Sequence, residues 1–221
     1  MQNALPENAS VLVIDDHPLF RKGVLELLAS TPHLKPAGEA DTGEKGVELA
    51  HRLQPDLILL DLHMRSGQDG IATLRKMRAE GIEARIIVLT VSDAPRDLVD
   101  AMRSGADGYL LKDTDPELML HYLQESLYGK TVLSEGLAQM LVSTLSQDPG
   151  GPIRQLADLT DRETTILYCL SQGLSNKMIA RELDIMESTV KVHIRNLLKK
   201  LKFHSRVEAA VWAVSQGVSS R

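Results

Sequence analysis

Five polar residues stand at or directly after the ends of short apolar runs. They are three aspartates, a threonine and a lysine: Asp15, Asp16, Asp61, Thr90 and Lys112. Clustered carboxylates repel one another unless a cation joins them, and hard oxygen ligands suit Mg²⁺. A hydroxyl and an ammonium group beside that cation would hold a phosphoryl group, which one carboxylate could accept as an aspartyl phosphate. These residue types predict Mg²⁺-dependent phosphoryl chemistry if the chain brings all five together.

The apolar runs that precede these residues are typical of buried parallel strands. They are Val11–Ile14, Leu34–Gly38, Leu57–Leu60, Ile86–Leu89 and Tyr109–Leu111. Amphipathic stretches follow them and predict helices over Pro18–Leu28, Thr42–Leu53, Ile71–Met77, Asp97–Met102 and Pro116–Leu127. Five such units predict an α/β, flavodoxin-like (CheY-like) doubly wound sheet of five parallel strands in the order 2-1-3-4-5. Ligands bind beyond the carboxyl ends of such strands, where the five polar residues lie.

The remainder of the chain differs in charge. Residues 1–153 carry 14 basic and 23 acidic residues, a net charge of −9, whereas residues 154–221 carry 11 basic and 7 acidic residues, a net charge of +4. A basic part joined to an acidic part indicates different partners, and nucleic acid is the first candidate for the basic part. We therefore divide the chain into domains at 8–128 and 154–221. Between them, residues 129–153 form a linker with a helix and a Pro- and Gly-rich flexible joint.

The basic part is helical throughout, so the second domain is expected to be all-α. Thr160 and Glu163 form a predicted capping box, and Ser175 is the predicted N-cap of a second helix. A third helix is expected from Glu187 to Leu201, with apolar residues at helical spacing on one face and basic residues on the rest. Two helices joined by a tight turn, the second basic on its free face, describe a helix-turn-helix.

The motifs of the first part resemble those of the receiver domain of bacterial response regulators. They are Val-Leu-Val-Ile-Asp15-Asp16, Leu-Ile-Leu-Leu-Asp61, Thr90 and Gly-Tyr109-Leu-Leu-Lys112. The resemblance implies that Asp61 accepts the phosphoryl group and that Mg²⁺ is bound by Asp15, Asp16, Asp61 and the backbone carbonyl of His63. Thr90 would bond the phosphoryl group, Lys112 would pair with it, and Tyr109 would be the switching aromatic that turns inward. The chain departs from the family's usual Met-Pro at Arg65.

The motifs of the second part resemble the LuxR/FixJ-type DNA-binding domain, a four-helix variant of the helix-turn-helix. They are Leu-Thr-Asp-Arg-Glu163, Gly-Leu-Ser-Asn-Lys177-Met-Ile-Ala, Ser-Thr-Val-Lys-Val-His193 and Ser-Arg-Val-Glu-Ala209. The resemblance implies contacts with the major groove by Lys191, Val192 and Arg195. Contacts near phosphates would come from Ser175, Asn176, Lys177, Ser188, Thr189 and His193. The last helix, Ser205–Val214, would form the dimerisation face.

A receiver followed by this domain is the architecture of the NarL/FixJ family. The resemblance implies a transcriptional regulator that a sensor histidine kinase phosphorylates on Asp61, in response to nitrate or nitrite. Phosphorylation would relieve inhibition of the helix-turn-helix by the receiver and permit binding of a homodimer to double-stranded DNA. RNA polymerase is a further candidate partner.

Three alternatives remain open. The first is a regulator of the same family that responds to another signal. The second is an enzyme, an aspartyl-phosphate phosphatase with Asp61 as nucleophile. Such an enzyme needs a second carboxylate two residues later, where this chain has His63, so we expect no enzyme. The third is an interaction module with a vestigial site, against which the complete set of five polar residues argues.

Cysteine content and hydropathy exclude several classes of protein. Cys169 is the sole cysteine, so neither a disulfide framework nor a cysteine-based zinc cluster can form within the chain. No apolar run approaches a membrane span, and the first ten residues lack the pattern of a signal peptide. We therefore expect a cytoplasmic protein without membrane contact.

Overall fold

The computed structural model describes residues 8–64, 69–134, 136–137, 140–141, 156–203, 205–216 and 218. Arg65 and the joint expected near residues 147–153 lie outside the described residues, as does most of the linker. The predicted linker helix is represented by residues 137, 140 and 141, which are helical.

The first domain is built on a parallel sheet. Its strands are β1 (Ala9–Ile14), β2 (Leu34–Ala40), β3 (Leu57–Leu60), β4 (Arg85–Thr90), β5 (Gly108–Leu111) and β6 (Val132–Leu133). Their order is β2-β1-β3-β4-β5-β6, so the predicted order of the first five strands is confirmed. The prediction of five strands was incomplete, because β6 adds two residues at the edge beside β5. A two-residue strand is too short to give a recognisable apolar pattern.

Five helices cover the two faces of this sheet. They are α1 (Pro18–Ala29), α2 (Gly43–Leu53), α3 (Gly70–Ala79), α4 (Pro95–Arg103) and α5 (Pro116–Leu127). The predicted N-cap at Thr42 is present, since its hydroxyl accepts a hydrogen bond from the Lys45 amide. Alternate residues of the strands pack into two separate apolar clusters, one on each face of the sheet. This two-sided burial explains why the strands read as continuous apolar runs.

In the described part of the second domain, a short 3-10 helix (Leu156–Asp158) and four α-helices surround a third apolar cluster. The α-helices are α6 (Asp161–Ser171), α7 (Asn176–Glu182), α8 (Glu187–Leu201) and α9 (Arg206–Ser215). Both halves of the predicted capping box between Thr160 and Glu163 are formed. Helix α8 has the predicted bounds and buries Val190, Ile194 and Leu197. None of the described helices is long and apolar enough to cross a membrane.

Helix α9 joins the two domains. Val207 on α9 is buried in the same cluster as Leu137 and Leu141, which follow β6. On the other side of α9, Ala209 and Ala213 pack into the core of the second domain. The helix is therefore shared between its own domain and the receiver-like domain.

Replacing Gly70 with alanine should destabilise the protein by about 1–3 kcal/mol, the usual cost of overpacking. Helix α3 begins directly against the end of β3, where an added Cβ would lie 2.4 Å from the carbonyl oxygen of Asp61 and 2.5 Å from Cα of Leu62. Neither backbone atom can move without shifting the strand. Denaturant unfolding of Gly70→Ala measures the effect.

Gly23→Ala is the matched control, because Gly23 lies within α1 and an added Cβ would have no atom within 4 Å. That variant should be more stable by roughly 0.5–1 kcal/mol, since alanine loses less backbone entropy than glycine in a helix. Equal effects of the two substitutions would contradict the packing described for α3.

Candidate functional site

The carboxyl ends of β1, β3, β4 and β5 bring the five polar residues to one edge of the sheet. Asp15 and Asp61 are each 2% exposed and Thr90 is fully buried. The Lys112 ammonium lies 2.7 Å from Oδ2 of Asp61 and 2.8 Å from Oδ2 of Asp15, so one cation bridges the two carboxylates. Two buried carboxylates would repel each other strongly without it.

A histidine that sequence reasoning missed completes the acidic cluster. Nδ1 of His17 lies 2.8 Å from Oδ1 of Asp16, 3.3 Å from Oδ1 of Asp15 and 3.8 Å from Oδ2 of Asp61. One potential ligand atom from each of these four residues lies within 4.8 Å of the others. The available signal in the sequence was the position of His17. It directly follows the aspartate pair and is the N-cap of α1.

The acidic loop after β1 is fixed from outside by an arginine that the sequence also did not single out. Nη1 of Arg21 donates to the carbonyl oxygen of Asp15 at 2.6 Å, and Nε donates to Glu39 at 2.7 Å. The preceding residue, Phe20, places its ring 4.8 Å below the Lys112 ammonium. Helix α1 therefore holds both the backbone of Asp15 and the position of the lysine.

His63 contacts the site through its side chain as well as its backbone. Its amide donates to Oδ1 of Asp61 at 3.2 Å, and its Nδ1 lies 3.2 Å from the Thr90 hydroxyl oxygen. Nε2 lies 3.5 Å from Oδ2 of Asp97, in the first turn of α4. The sequence predicted a role only for the carbonyl of His63, because a side-chain contact with residue 90 depends on how β3 and β4 pair.

Tyr109 already points inward in this structure. The side chain is fully buried, and its hydroxyl donates to the carbonyl oxygen of Ser92 at 2.8 Å. Burial, together with the nearby charge of Asp97, raises the pKa of the phenol, so it remains a hydrogen-bond donor at neutral pH. In this arrangement Tyr109 fills space between β5 and the loop after β4, and its role as the switching aromatic stays a prediction.

The residues expected at the major groove lie on the outer face of α8. Lys191, Val192 and Arg195 are exposed, and Val192 is 51% accessible although it is apolar. Of the residues expected near phosphates, two are exposed and three partly exposed: Lys177 and Ser188, then Asn176, Thr189 and His193. Ser175 is instead buried, since its hydroxyl caps α7 by accepting from the Met178 amide.

The receiver-like domain touches this outer face of α8. Glu83 accepts a hydrogen bond from Nζ of Lys191 at 2.7 Å. This bond, with the charges of Lys191 and Arg195, lowers the pKa of Glu83. An acidic side chain of the first domain therefore pairs with a lysine on the face of α8 that is expected to contact DNA.

Helix α9 carries a second set of charged contacts. Arg206 donates to the carbonyl oxygen of Leu174 at 2.7 Å, and desolvation, together with the charge of Arg85, lowers its pKa to about 10. Burial alone would raise the pKa of Asp107, but Arg85 and Arg78 lower it below its usual value. Asp107 and Arg85, both from the first domain, thus act electrostatically on an arginine of the second.

Two family models match the chain. The model of the response regulator receiver domain matches residues 11–124, and the model of bacterial regulatory proteins of the luxR family matches residues 157–213. The first covers β2 to β5, most of β1 and the acidic edge, and the second covers α6 to α8 and most of α9.

Relatives match over nearly the whole chain. The nitrate/nitrite response regulator protein NarL of Escherichia coli (strain K12) is 51% identical over 206 residues, which cover 93% of this chain and 95% of NarL. The nitrate/nitrite response regulator protein NarP of the same strain is 46% identical over 210 residues, which cover 93% of this chain and 94% of NarP. A crystal structure of a LuxR-family two-component response regulator from Aurantimonas sp. SI85-9A1 is 27% identical with a TM-score of 0.59, covering 63% of this chain and 99% of that one.

Removing the bridging cation should destabilise the protein. Lys112→Met leaves Asp15 and Asp61 buried without a partner charge, which should lower the free energy of unfolding by about 3–5 kcal/mol. Excess MgCl₂ should restore part of the loss, because a divalent cation can replace the ammonium charge. Denaturant unfolding with and without MgCl₂ measures both effects.

Lys45→Met is the control, since Lys45 pairs with Asp41 at 2.8 Å on the exposed surface. Its effect should stay within about 1 kcal/mol and should not depend on MgCl₂. A small, MgCl₂-independent effect of Lys112→Met would contradict the bridging role.

Proposed function

Because the chain belongs to the NarL-like two-component response regulators, with a receiver domain and a LuxR-type DNA-binding domain, we propose that phosphorylation of Asp61 controls its binding to DNA. The phosphoryl group would come from a sensor histidine kinase. The observation that carries this proposal is the ion pair between Glu83 and Lys191, which joins the receiver to the DNA-reading helix. A regulator of this kind acts in the cytoplasm, where the DNA lies.

The acidic edge of the receiver fits a bound Mg²⁺. The ligand atoms of Asp15, Asp16 and Asp61 are close enough to share one cation, and carboxylates are the donors that Mg²⁺ prefers. The backbone carbonyl of His63 would complete the protein ligands. Mg²⁺, when bound, would neutralise the charge of the incoming phosphoryl group. In our proposal Asp61 is the nucleophile, Lys112 pairs with a phosphoryl oxygen, and the Thr90 hydroxyl donates to another.

The receiver would inhibit the unphosphorylated protein in two ways. Glu83 pairs with Lys191, which in our proposal contacts the major groove. Gly129, the first residue of the linker, lies against Ser175, so an added Cβ at Gly129 would fall 2.2 Å from Cβ of that residue. In our proposal the backbone at Gly129 keeps a DNA duplex away from the start of α7.

The same arrangement would prevent dimerisation on DNA. Val207 and part of Val211 on α9 pack against the receiver cluster, and Arg103 on α4 lies 3.9 Å from Glu208 on α9. If α9 is the dimer interface, as the family resemblance implies, two copies can pair only after α9 leaves the receiver. Phosphorylation then needs to shift a closed–open equilibrium by only about 1–3 kcal/mol to change the DNA affinity 5- to 150-fold.

The relatives suggest the signal. NarL and NarP are named as nitrate/nitrite response regulators, and each aligns with more than nine-tenths of this chain. We therefore propose nitrate- or nitrite-responsive gene control, with RNA polymerase as a further partner on DNA. A phosphatase is not favoured, because such an enzyme needs a carboxylate two positions after Asp61, where this chain has His63. The side chain of His63 contacts Thr90.

Phosphorylation is tested by incubating the full chain with acetyl phosphate and MgCl₂. We expect an adduct of about 80 Da, and tighter binding to an operator duplex that has been selected in vitro from random sequence. Asp61→Asn should abolish both effects. Asp16→Ala should abolish the MgCl₂-dependent adduct, because the cation loses a carboxylate ligand. Steady release of phosphate without an adduct would indicate a phosphatase, and an adduct that leaves DNA binding unchanged would contradict the proposed control.

The DNA contacts are tested by comparing two lysines in the phosphorylated protein. Lys191→Ala should reduce discrimination between operator and random duplexes by about 1–3 kcal/mol, because it removes a contact with a base edge. Lys177→Ala should weaken binding to all duplexes alike and lower the slope of log K against log salt by about one. Equal losses of specificity would show that one of the two lysines is wrongly assigned.

A further inference from the structure

The hydroxyl of Thr90 has a defined hydrogen-bond arrangement in this structure. Its oxygen accepts a bond from the Ser92 amide at 3.3 Å and lies 3.2 Å from Nδ1 of His63. A threonine hydroxyl carries a single proton. The amide can only donate, so the hydroxyl oxygen accepts there, and the hydroxyl donates to Nδ1 of His63 when the ring carries its proton on Nε2.

The other ring nitrogen of His63 faces α4. Nε2 lies 3.5 Å from Oδ2 of Asp97, which also accepts a bond from the Ser92 hydroxyl at 2.6 Å. If Nδ1 accepts from Thr90, the neutral ring carries its proton on Nε2, where the carboxylate can accept it. The contacts on both sides therefore agree on one tautomer, and the ring connects β4 to the first turn of α4.

A phosphoryl oxygen on Asp61 would need the same proton of Thr90. A phosphoryl group has acceptor oxygens only, so a bond from Thr90 to it requires the bond from Thr90 to His63 to break. We propose that His63 is a positioning residue that holds Thr90 and α4 in the unphosphorylated arrangement and releases Thr90 when Asp61 is phosphorylated. This inference rests on the proposed function, in which Thr90 bonds the phosphoryl group.

The far end of α4 carries the effect to the second domain. Arg103, in the last turn of α4, lies 3.9 Å from Glu208 of α9. His63 therefore stabilises the end of α4 nearest the phosphoacceptor, while the other end contacts the helix that the receiver covers. Loss of the contact between His63 and Asp97 should loosen α4 and favour the separation of α9.

The unphosphorylated full chain tests the inference. His63→Ala and Asp97→Ala should each raise affinity for the in-vitro-selected operator duplex about three- to tenfold, as the loss of one modest hydrogen bond from the closed state implies. The double variant should show no more than the larger single effect, because both substitutions break the same link. His63→Gln should remain near the unsubstituted protein, since its amide can accept from Thr90 and donate to Asp97.

Amide hydrogen exchange in α4 gives a second readout that needs neither DNA nor phosphate. Exchange should be faster in His63→Ala and Asp97→Ala, but unchanged in the control His51→Ala, which removes a surface histidine paired with Glu80 at 2.7 Å. If phosphorylation fails to alter DNA binding while exchange in α4 responds as described, the proposed function fails and the positioning role stands. Unchanged exchange and affinity in both variants, or additive effects in the double variant, would overturn the role of His63.

Discussion

Repulsion between carboxylates at one edge of the sheet is the constraint on which the rest of the structure depends. Asp15 and Asp61 are buried within reach of one ammonium group, that of Lys112. Such a site holds together only if the surrounding backbone is fixed, and Arg21 and the start of α3 fix it from two sides. The same crowding makes the structure of this edge sensitive to ligands, because an added cation or phosphoryl group changes the balance between the carboxylate charges and the ammonium charge.

The opposite net charges of the two domains become specific contacts in the folded chain. Glu83 faces Lys191, and Asp107 acts on Arg206. The pair between Glu83 and Lys191 is exposed, and such surface pairs give modest stability, which suits a contact that must open. Asp107 is buried instead. The apolar part of the interface centres on Val207, which packs into the receiver cluster. Helix α9 also packs into the core of its own domain. Closed and open arrangements can therefore differ by only a few kcal/mol.

Much of this arrangement could be predicted from the sequence, because apolar periodicity and strand-end residues report local structure directly. The bounds of β3, α5 and α8 were predicted to the residue. The missed features depend on tertiary geometry: the two-residue strand β6 and the side-chain contacts of His17 and His63. A histidine gives no sequence signal for the partner that its ring will find across a sheet.

The central claim is that phosphorylation of Asp61 separates the receiver from the DNA-binding domain. The distance between spin labels on Lys76→Cys and Lys199→Cys tests it most directly, since both positions are exposed and the native Cys169 is buried. We predict one narrow distance distribution in the unphosphorylated protein. Acetyl phosphate and MgCl₂ should shift it to longer and broader distances, but not when Asp61 is replaced by asparagine. An identical distribution before and after stoichiometric phosphorylation would contradict the account.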